Sequence, residues 1–394
     1  MVQFPELIDS INPDLIKKVL VNLVKIPSEN PPGSTKEITR YLFDMTQELG
    51  FSSKVIPVGS GGQKNLATSI GDEPRAIVLC GHLDTIPAGN IDSWEVPPFE
   101  GRVIDGFVYG RGAADMKAGI AAFLGAMAAL HESEARLLQQ IVFVGTADEE
   151  TSMLGAHMLL KTGIMDNTDF LIIGEPTLLR VGIAEKGVLW VKIEARGKAA
   201  HGSMPEMGIN AIDGACTVIK TLKKILPPDK DDLLGKSTLN IGTIRGGTKI
   251  NVVPATCAIE ADFRVISGVN TDQLARSISE MLRALDISSP CSFSHSISIN
   301  LPSLQAPQDH PLITCLRNWT TRISQTPSIP IGLTYGTDGA VLVPATQVPF
   351  AIFGPGDPAM AHKVNEKVSI LKTIKAAQIL AASIFDYFSK VKNV

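Results

Sequence analysis

Apolar residues set the first elements. Asn12 followed by Pro13 makes a helix start, and Leu15, Val19, Leu20 and Leu23 then fall on one helical face. Ser34 and Glu37 have the spacing of a capping box, which predicts a second helix ending at Gly50. Short apolar runs follow at 76–80, 141–144, 170–173 and 350–353, each bounded by glycine or polar residues. Such runs are expected of strands buried on both faces of a largely parallel sheet, and the helical stretches between them predict an α/β sandwich.

From about residue 182 the pattern changes. A strand at 188–196, a helix at 209–226, strands at 237–245 and 255–264, a helix at 271–285 and an alternating strand at 292–299 spell β-α-β-β-α-β, the order of a ferredoxin-like module. The run at 350–353 and a final helix after Glu366 resume the earlier character, so the module reads as an insertion. The expected division is a main domain of 1–181 and 301–394 with an inserted domain of 182–300. The apolar run 119–130 is too short to cross a bilayer and sits behind a polar motif, so it predicts a buried helix and no membrane partner.

Composition narrows the function classes. A length of 394 residues favours two domains over one core. The formal charge of −4 leaves no basic field for a phosphate backbone, which argues against nucleic acid and for small solutes. The N-terminus, Met-Val-Gln-Phe-Pro-Glu, has neither a basic nor an apolar leader segment, so a cytoplasmic location is expected. The cysteines, Cys80, Cys216, Cys257, Cys291 and Cys315, are odd in number and widely spaced, which fits reduced thiols. Any bound metal must therefore be held by histidine and carboxylates.

Those residue types follow the predicted strands directly. Cys80-Gly81 leads to His82 and Asp84, the second run to Asp148, Glu149 and Glu150, and the third to Glu175. The crevice beyond the carboxyl ends of such strands is where open α/β sheets bind ligands. Asp115, in the glycine-rich loop before the apolar helix, and His362, in the loop after the last strand, can reach the same place. Carboxylates gathered in one cleft are costly unless cations neutralise them, and nitrogen and oxygen donors suit zinc, with cobalt or manganese as substitutes. Glu149 and Glu150 are adjacent and cannot point the same way, so one can bind metal while the other accepts a proton from an attacking water. His82 and Asp84 have the spacing for a carboxylate that orients the imidazole.

The segments Gly81-His82-Leu83-Asp84-Thr85, Gly110 to Gly119, Thr146-Ala147-Asp148-Glu149-Glu150, Gly174-Glu175-Pro176-Thr177 and Ala200-His201-Gly202-Ser203, in this order, resemble the di-zinc family of acetylornithine deacetylase, succinyl-diaminopimelate desuccinylase, aminoacylase and carboxypeptidase G. The resemblance implies that His82 and Glu175 hold one metal, that Glu150 and His362 hold the other, and that Asp115 bridges them beside a cis peptide to Met116. It also implies Glu149 as general acid/base, and the inserted domain as a lid through which a homodimer forms, bringing His201 to the partner subunit's site. Asn251 and Arg264 resemble lid contacts to substrate, and Tyr335-Gly336-Thr337-Asp338 resembles a substrate-facing loop, with Thr337 its candidate contact. The implied reaction is cleavage of the amide bond of a small N-acylated amino acid, or of a short peptide in a carboxypeptidase or dipeptidase variant. The sequence around Glu149 and Glu175 looks closest to acetylornithine deacetylase, and Glu185-Lys186-Gly187 stands where desuccinylases carry paired arginines.

Other residues read as structural. His131, His157, His295 and His310 fall at helix ends, in a helix, on a strand and before a proline. Gly235-Lys236-Ser237 lacks the earlier glycine of a phosphate loop, because Lys230 stands there. Arg264 has a competing partner in Asp262 or Glu260.

Overall fold

A computed structural model describes residues 4–133 and 137–391. Of the N-terminal stretch read above for a leader, residues 1–3 lie outside the described ones. The chain divides into two compact units, one of residues 1–183, 306–331 and 337–394, the other of 184–305 and 332–336.

In the first unit the opening helix runs Pro13–Lys25, with Asn12 Oδ1 accepting the amides of Asp14 and Leu15 at 3.0 and 3.1 Å. Its buried face is Ile16, Val19, Leu20, Leu23 and Val24, so Leu15 lies at the margin of the stripe. The next helix is Lys36–Glu48, and the expected capping box is not formed. Thr35 is the N-cap, and its hydroxyl instead accepts the amide of Lys64 and donates to the Lys64 carbonyl, both at 2.7 Å. Tertiary pairing to the strand Lys64–Ile70 has displaced the local cap.

Six strands of the large sheet lie wholly in this unit, in the spatial order Ser52–Pro57, Lys64–Ile70, Gln140–Thr146, Ala76–His82, Thr168–Ile173 and Phe350–Ile352. The last four are parallel and the first two add antiparallel pairs at one flank. All seven residues of Ala76–His82 are buried, as a central parallel strand covered on both faces requires. Parallel register puts the carboxyl ends of three neighbouring strands side by side, at His82, Thr146 and Ile173.

The apolar run forms the helix Ala118–Glu132, in which every residue from Ala118 to Leu130 is buried. Taken with the turn before it, the segment 113–132 reaches the length and hydropathy of a membrane span. The protein core takes up that apolarity: an 18-residue window of the segment is 94% buried, against the helices Pro13–Lys25 and Ile370–Val391 among others. Side chains such as Phe123 and Leu124, fully enclosed, contribute about 1.5–3 kcal/mol each.

The second unit is an antiparallel sheet in the order Thr238–Gly246, Thr256–Val265, Gly187–Arg196 and Ser292–Leu301. Helices Ala211–Leu222 and Thr271–Ser288 cover one face, capped by the Asn210 and Asn270 side chains. Alternation explains the coverage: Leu189, Val191, Ile193 and Ala195 pack with Val218, Leu222, Ile278 and Leu282, while Trp190 and Lys192 point the other way. Strand order and chain order together make this the ferredoxin-like β-α-β-β-α-β arrangement.

Candidate metal centre

The carboxyl-edge loops of the first unit bring five of the named side chains together. His82 ends its strand and is buried; its Nδ1 lies 2.8 Å from the Asp84 carbonyl, which fixes the ring proton on Nδ1 and leaves Nε2 as a ligand nitrogen. Nε2 is 3.1 Å from Asp115 Oδ1 and 3.6 Å from Glu175 Oε1. On the other side of Asp115, His362 Nε2 stands 3.5 Å from Oδ2 and 3.2 Å from Glu150 Oε2. Two triplets result, His82–Asp115–Glu175 and Asp115–Glu150–His362, each offering donor atoms within 4.8 Å of one another. Asp115 belongs to both, with one oxygen turned to each.

The charges show why such a cluster wants cations. Burial alone would lower the His82 pKa, but Asp115, Glu175 and Glu149 together hold it well above the usual imidazole range. Burial, and then the Asp115 carboxylate, push Glu175 well up, and Glu149 is raised by burial with help from Glu175 and Glu150. Left alone, the acids and imidazoles can share this space only by taking up protons, and divalent ions would take the place of those protons. The donor set therefore fits two metal ions.

Asp115 is presented by a turn whose backbone needs glycine. Gly112 has φ of 82°, and a Cβ there would lie 2.5 Å from Thr85 Cγ2. The Asp115–Met116 peptide is cis. Glu366, buried, takes the amides of Gly112, Ala114 and Asp115 at 3.0, 2.8 and 3.1 Å and the Arg111 guanidinium at 2.7 Å. At the neighbouring strand end, a Cβ on Gly119 would come within 2.1 Å of the Gly174 carbonyl, so the glycine permits the close approach beside Glu175.

Residues 78–386 match the profile of Peptidase family M20/M25/M40. The chain belongs to this family. It is 29% identical over 382 residues to a probable succinyl-diaminopimelate desuccinylase of Staphylococcus epidermidis, covering 89% of this chain and 92% of that one. It is 30% identical over 346 residues to an acetylornithine deacetylase of Proteus mirabilis, covering 86% of each. Among solved structures, a tripeptidase of Staphylococcus aureus shares the fold with a TM-score of 0.80 at 23% identity, covering 96% of this chain and 99% of that one. The M20 family binds two metal ions and hydrolyses amide bonds, and this chain is a metal-dependent hydrolase of that kind.

Within this M20 centre, Asp84 acts differently from its expected role. Its carboxylate is 4.0 Å from His82 Nδ1, and its backbone carbonyl makes the closer contact with the ring. The carboxylate instead accepts the amides of Glu149 and Glu150 at 3.2 and 3.3 Å, and so holds the turn that carries both acids. Asn30 extends the support, donating to Asp84 Oδ2 and Asp148 Oδ1, each at 2.9 Å. Glu366 and Asn30 were not singled out by sequence reasoning. Arg111, flanked by two glycines, was a charge without an evident solvated role and carried the available hint of a buried partner.

The candidate substrate contacts are dispersed. Thr337 is fully buried in the first unit, with its Oγ1 accepting the Gly339 amide at 3.0 Å. His201, Asn251 and Arg264 belong to the second unit. His201 is exposed, and its Nδ1 accepts the Ser203 amide at 3.2 Å, so a neutral ring carries its proton on Nε2. Asn251 is exposed, and its carbonyl takes the Gly202 amide at 2.8 Å. Arg264 Nε is paired with Asp262 at 2.9 Å, which is the competing reading given above. His310, read as structural, caps the helix Pro311–Ser324 by accepting the Leu312 amide at 3.2 Å.

Proposed function

We propose that this chain is a two-metal deacylase that cleaves the amide bond of a small N-acyl amino acid, with zinc as its metal and cobalt or manganese as substitutes. The observation that carries the reading is the sharing of Asp115 between two ligand triplets, with Glu149 within electrostatic reach of His82, Glu175 and Glu150. The curated relatives named deacetylase and desuccinylase, near 30% identity, support an acyl amino acid as substrate.

Divalent ions held by these residues supply Lewis acidity that polarises a carbonyl and acidifies water. Glu149, its backbone amide fixed on Asp84, accepts the proton of the attacking water and returns it to the departing amine nitrogen. His201, with a proton on Nε2, donates to the developing oxyanion, reaching the site of the partner subunit in a homodimer formed through the inserted unit. Arg264 takes the substrate carboxylate on its guanidinium, and Asn251 hydrogen-bonds the rest of the substrate, with Thr337 buried behind the loop that faces it. Five free cysteines fit a reducing, cytoplasmic setting.

The test is turnover by the zinc-loaded chain of N-acetyl, N-succinyl and N-formyl amino acids beside di- and tripeptides. N-acyl amino acids are expected to be cleaved, and Glu149→Ala is expected to lower kcat by about 100- to 10,000-fold with both metals retained. Cleavage of peptides alone, or a near-normal rate in Glu149→Ala, refutes the reading.

A further inference from the structure

The stretch after the first long helix is fastened to the loop that follows His82. The Asn30 amide donates to the Thr85 carbonyl at 2.7 Å, and the Thr85 amide donates to the Ser28 carbonyl at 2.9 Å. The two backbones are therefore held side by side, with Asp84 next to Thr85 on one and Asn30 on the other. Gly33 then turns the chain back over the Asn30 side chain. Its φ is 79°, and a Cβ there would stand 2.8 Å from Asn30 Oδ1, so the close approach requires glycine.

The enclosed side chain is buried, and its Nδ2 meets three acceptors: Asp84 Oδ2 and Asp148 Oδ1 at 2.9 Å each, and Thr151 Oγ1 at 3.1 Å. Two carboxylates can approach one nitrogen this closely because it donates two N–H groups and carries no charge of its own. Asp148 and Thr151 bracket Glu149 and Glu150 in the chain, and Asp84 accepts the amides of both glutamates at 3.2 and 3.3 Å. Asp148 has φ of 69°, in the left-handed region, where a non-glycine residue persists only when its surroundings impose it. Its carboxylate also takes the hydroxyls of Thr151 and Ser152. One neutral amide thus joins the His82 loop to both ends of the segment that carries Glu149 and Glu150.

We propose that Asn30 is a positioning residue for proton transfer by Glu149: it sets the register of the Glu149–Glu150 turn against the His82 loop, and with it the place of the base relative to the attacking water. Asn30 acts through Asp84 and Asp148 and contributes no donor atom to either metal triplet. The inference rests on the reading of Glu149 as the general base.

A double-mutant cycle on the full-length, zinc-loaded chain tests it, with the best-cleaved substrate of the panel above. Asn30→Ala is expected to lower kcat by about 10- to 100-fold while KM stays within about twofold and both zinc ions are retained. In a Glu149→Ala background the same substitution is expected to lower kcat by less than about threefold, because a base that is already absent cannot be misplaced further. Equal losses in the two backgrounds mark a merely structural residue and overturn the proposal. A loss carried by KM, a lost zinc ion, or a wild-type kcat in Asn30→Ala overturns it as well. If Asn30→Ala does not fold, the cycle is run with Asn30→Ser, which offers one O–H where two N–H groups are needed and is read by the same criteria. A near-normal rate in Glu149→Ala alone sinks the general-base reading and this inference with it, whereas a slow Glu149→Ala beside an unaffected Asn30→Ala sinks the inference only.

Discussion

Glu366 Oε1 stands 3.1 Å from the backbone nitrogen of Asp115 and takes its N–H, so an acid from the last part of the chain fixes the residue that both metal triplets share. The same carboxylate neutralises Arg111, whose side chain is 3% exposed. Glu366→Ala would strand a buried guanidinium and three amides. A loss of about 3–5 kcal/mol in denaturant unfolding is expected, because the surviving partner of a buried pair is left uncompensated. Metal affinity is expected to fall about 10- to 100-fold, as for other groups that orient ligands. Unchanged unfolding and metal titration would show that the turn holds itself.

Gly119→Ala is expected to act through the neighbouring strand end. The added methyl would meet the Gly174 carbonyl, and one of the two backbones must move. Overpacking of this kind costs about 1–3 kcal/mol, and the displaced segment carries Glu175. The variant should melt earlier and bind its first equivalent of zinc less tightly; a wild-type zinc titration would place the strain elsewhere.

His310 gives a pH dependence away from the metal centre. Burial lowers its pKa, and protonation of Nδ1 would also remove the acceptor that caps the Leu312 amide. The unfolded chain then binds the proton more readily than the folded one. Stability contributed by the neutral ring is present above the unfolded imidazole value of about 6.5 and is lost as pH falls through that range. His310→Asn keeps a capping oxygen without a titrating ring, so its melting temperature should fall less steeply than that of the wild type between about pH 7 and 5. Parallel slopes for the two proteins would refute the assignment.

Much of this arrangement is legible in the sequence because apolar runs buried on both faces mark parallel strands, and parallel strands present their following residues at one edge. His82, Glu150 and Glu175 are placed by that rule alone. What is not legible is side chain bound to backbone. Glu366 meets three amides, and an amide has no signature in the sequence; its one side-chain partner, Arg111, is 255 residues away. Asp84 misleads for the same reason, since its spacing from His82 suggests a carboxylate on the ring, whereas the carbonyl takes that place and the carboxylate turns to the amides of Glu149 and Glu150. At Ser34 the local pattern loses to a distant one, because the hydroxyl of Thr35 is claimed by Lys64.

The candidate ligands are divided by the second unit. His82, Asp115, Glu150 and Glu175 precede residue 184, whereas His362 and the Glu366 that steadies Asp115 come after residue 336. A nascent polypeptide on the ribosome therefore carries all three members of the His82–Asp115–Glu175 triplet before the intervening module is made, whereas the other triplet still lacks His362. The Asp115–Glu150–His362 triplet is complete only after the whole intervening module has been made.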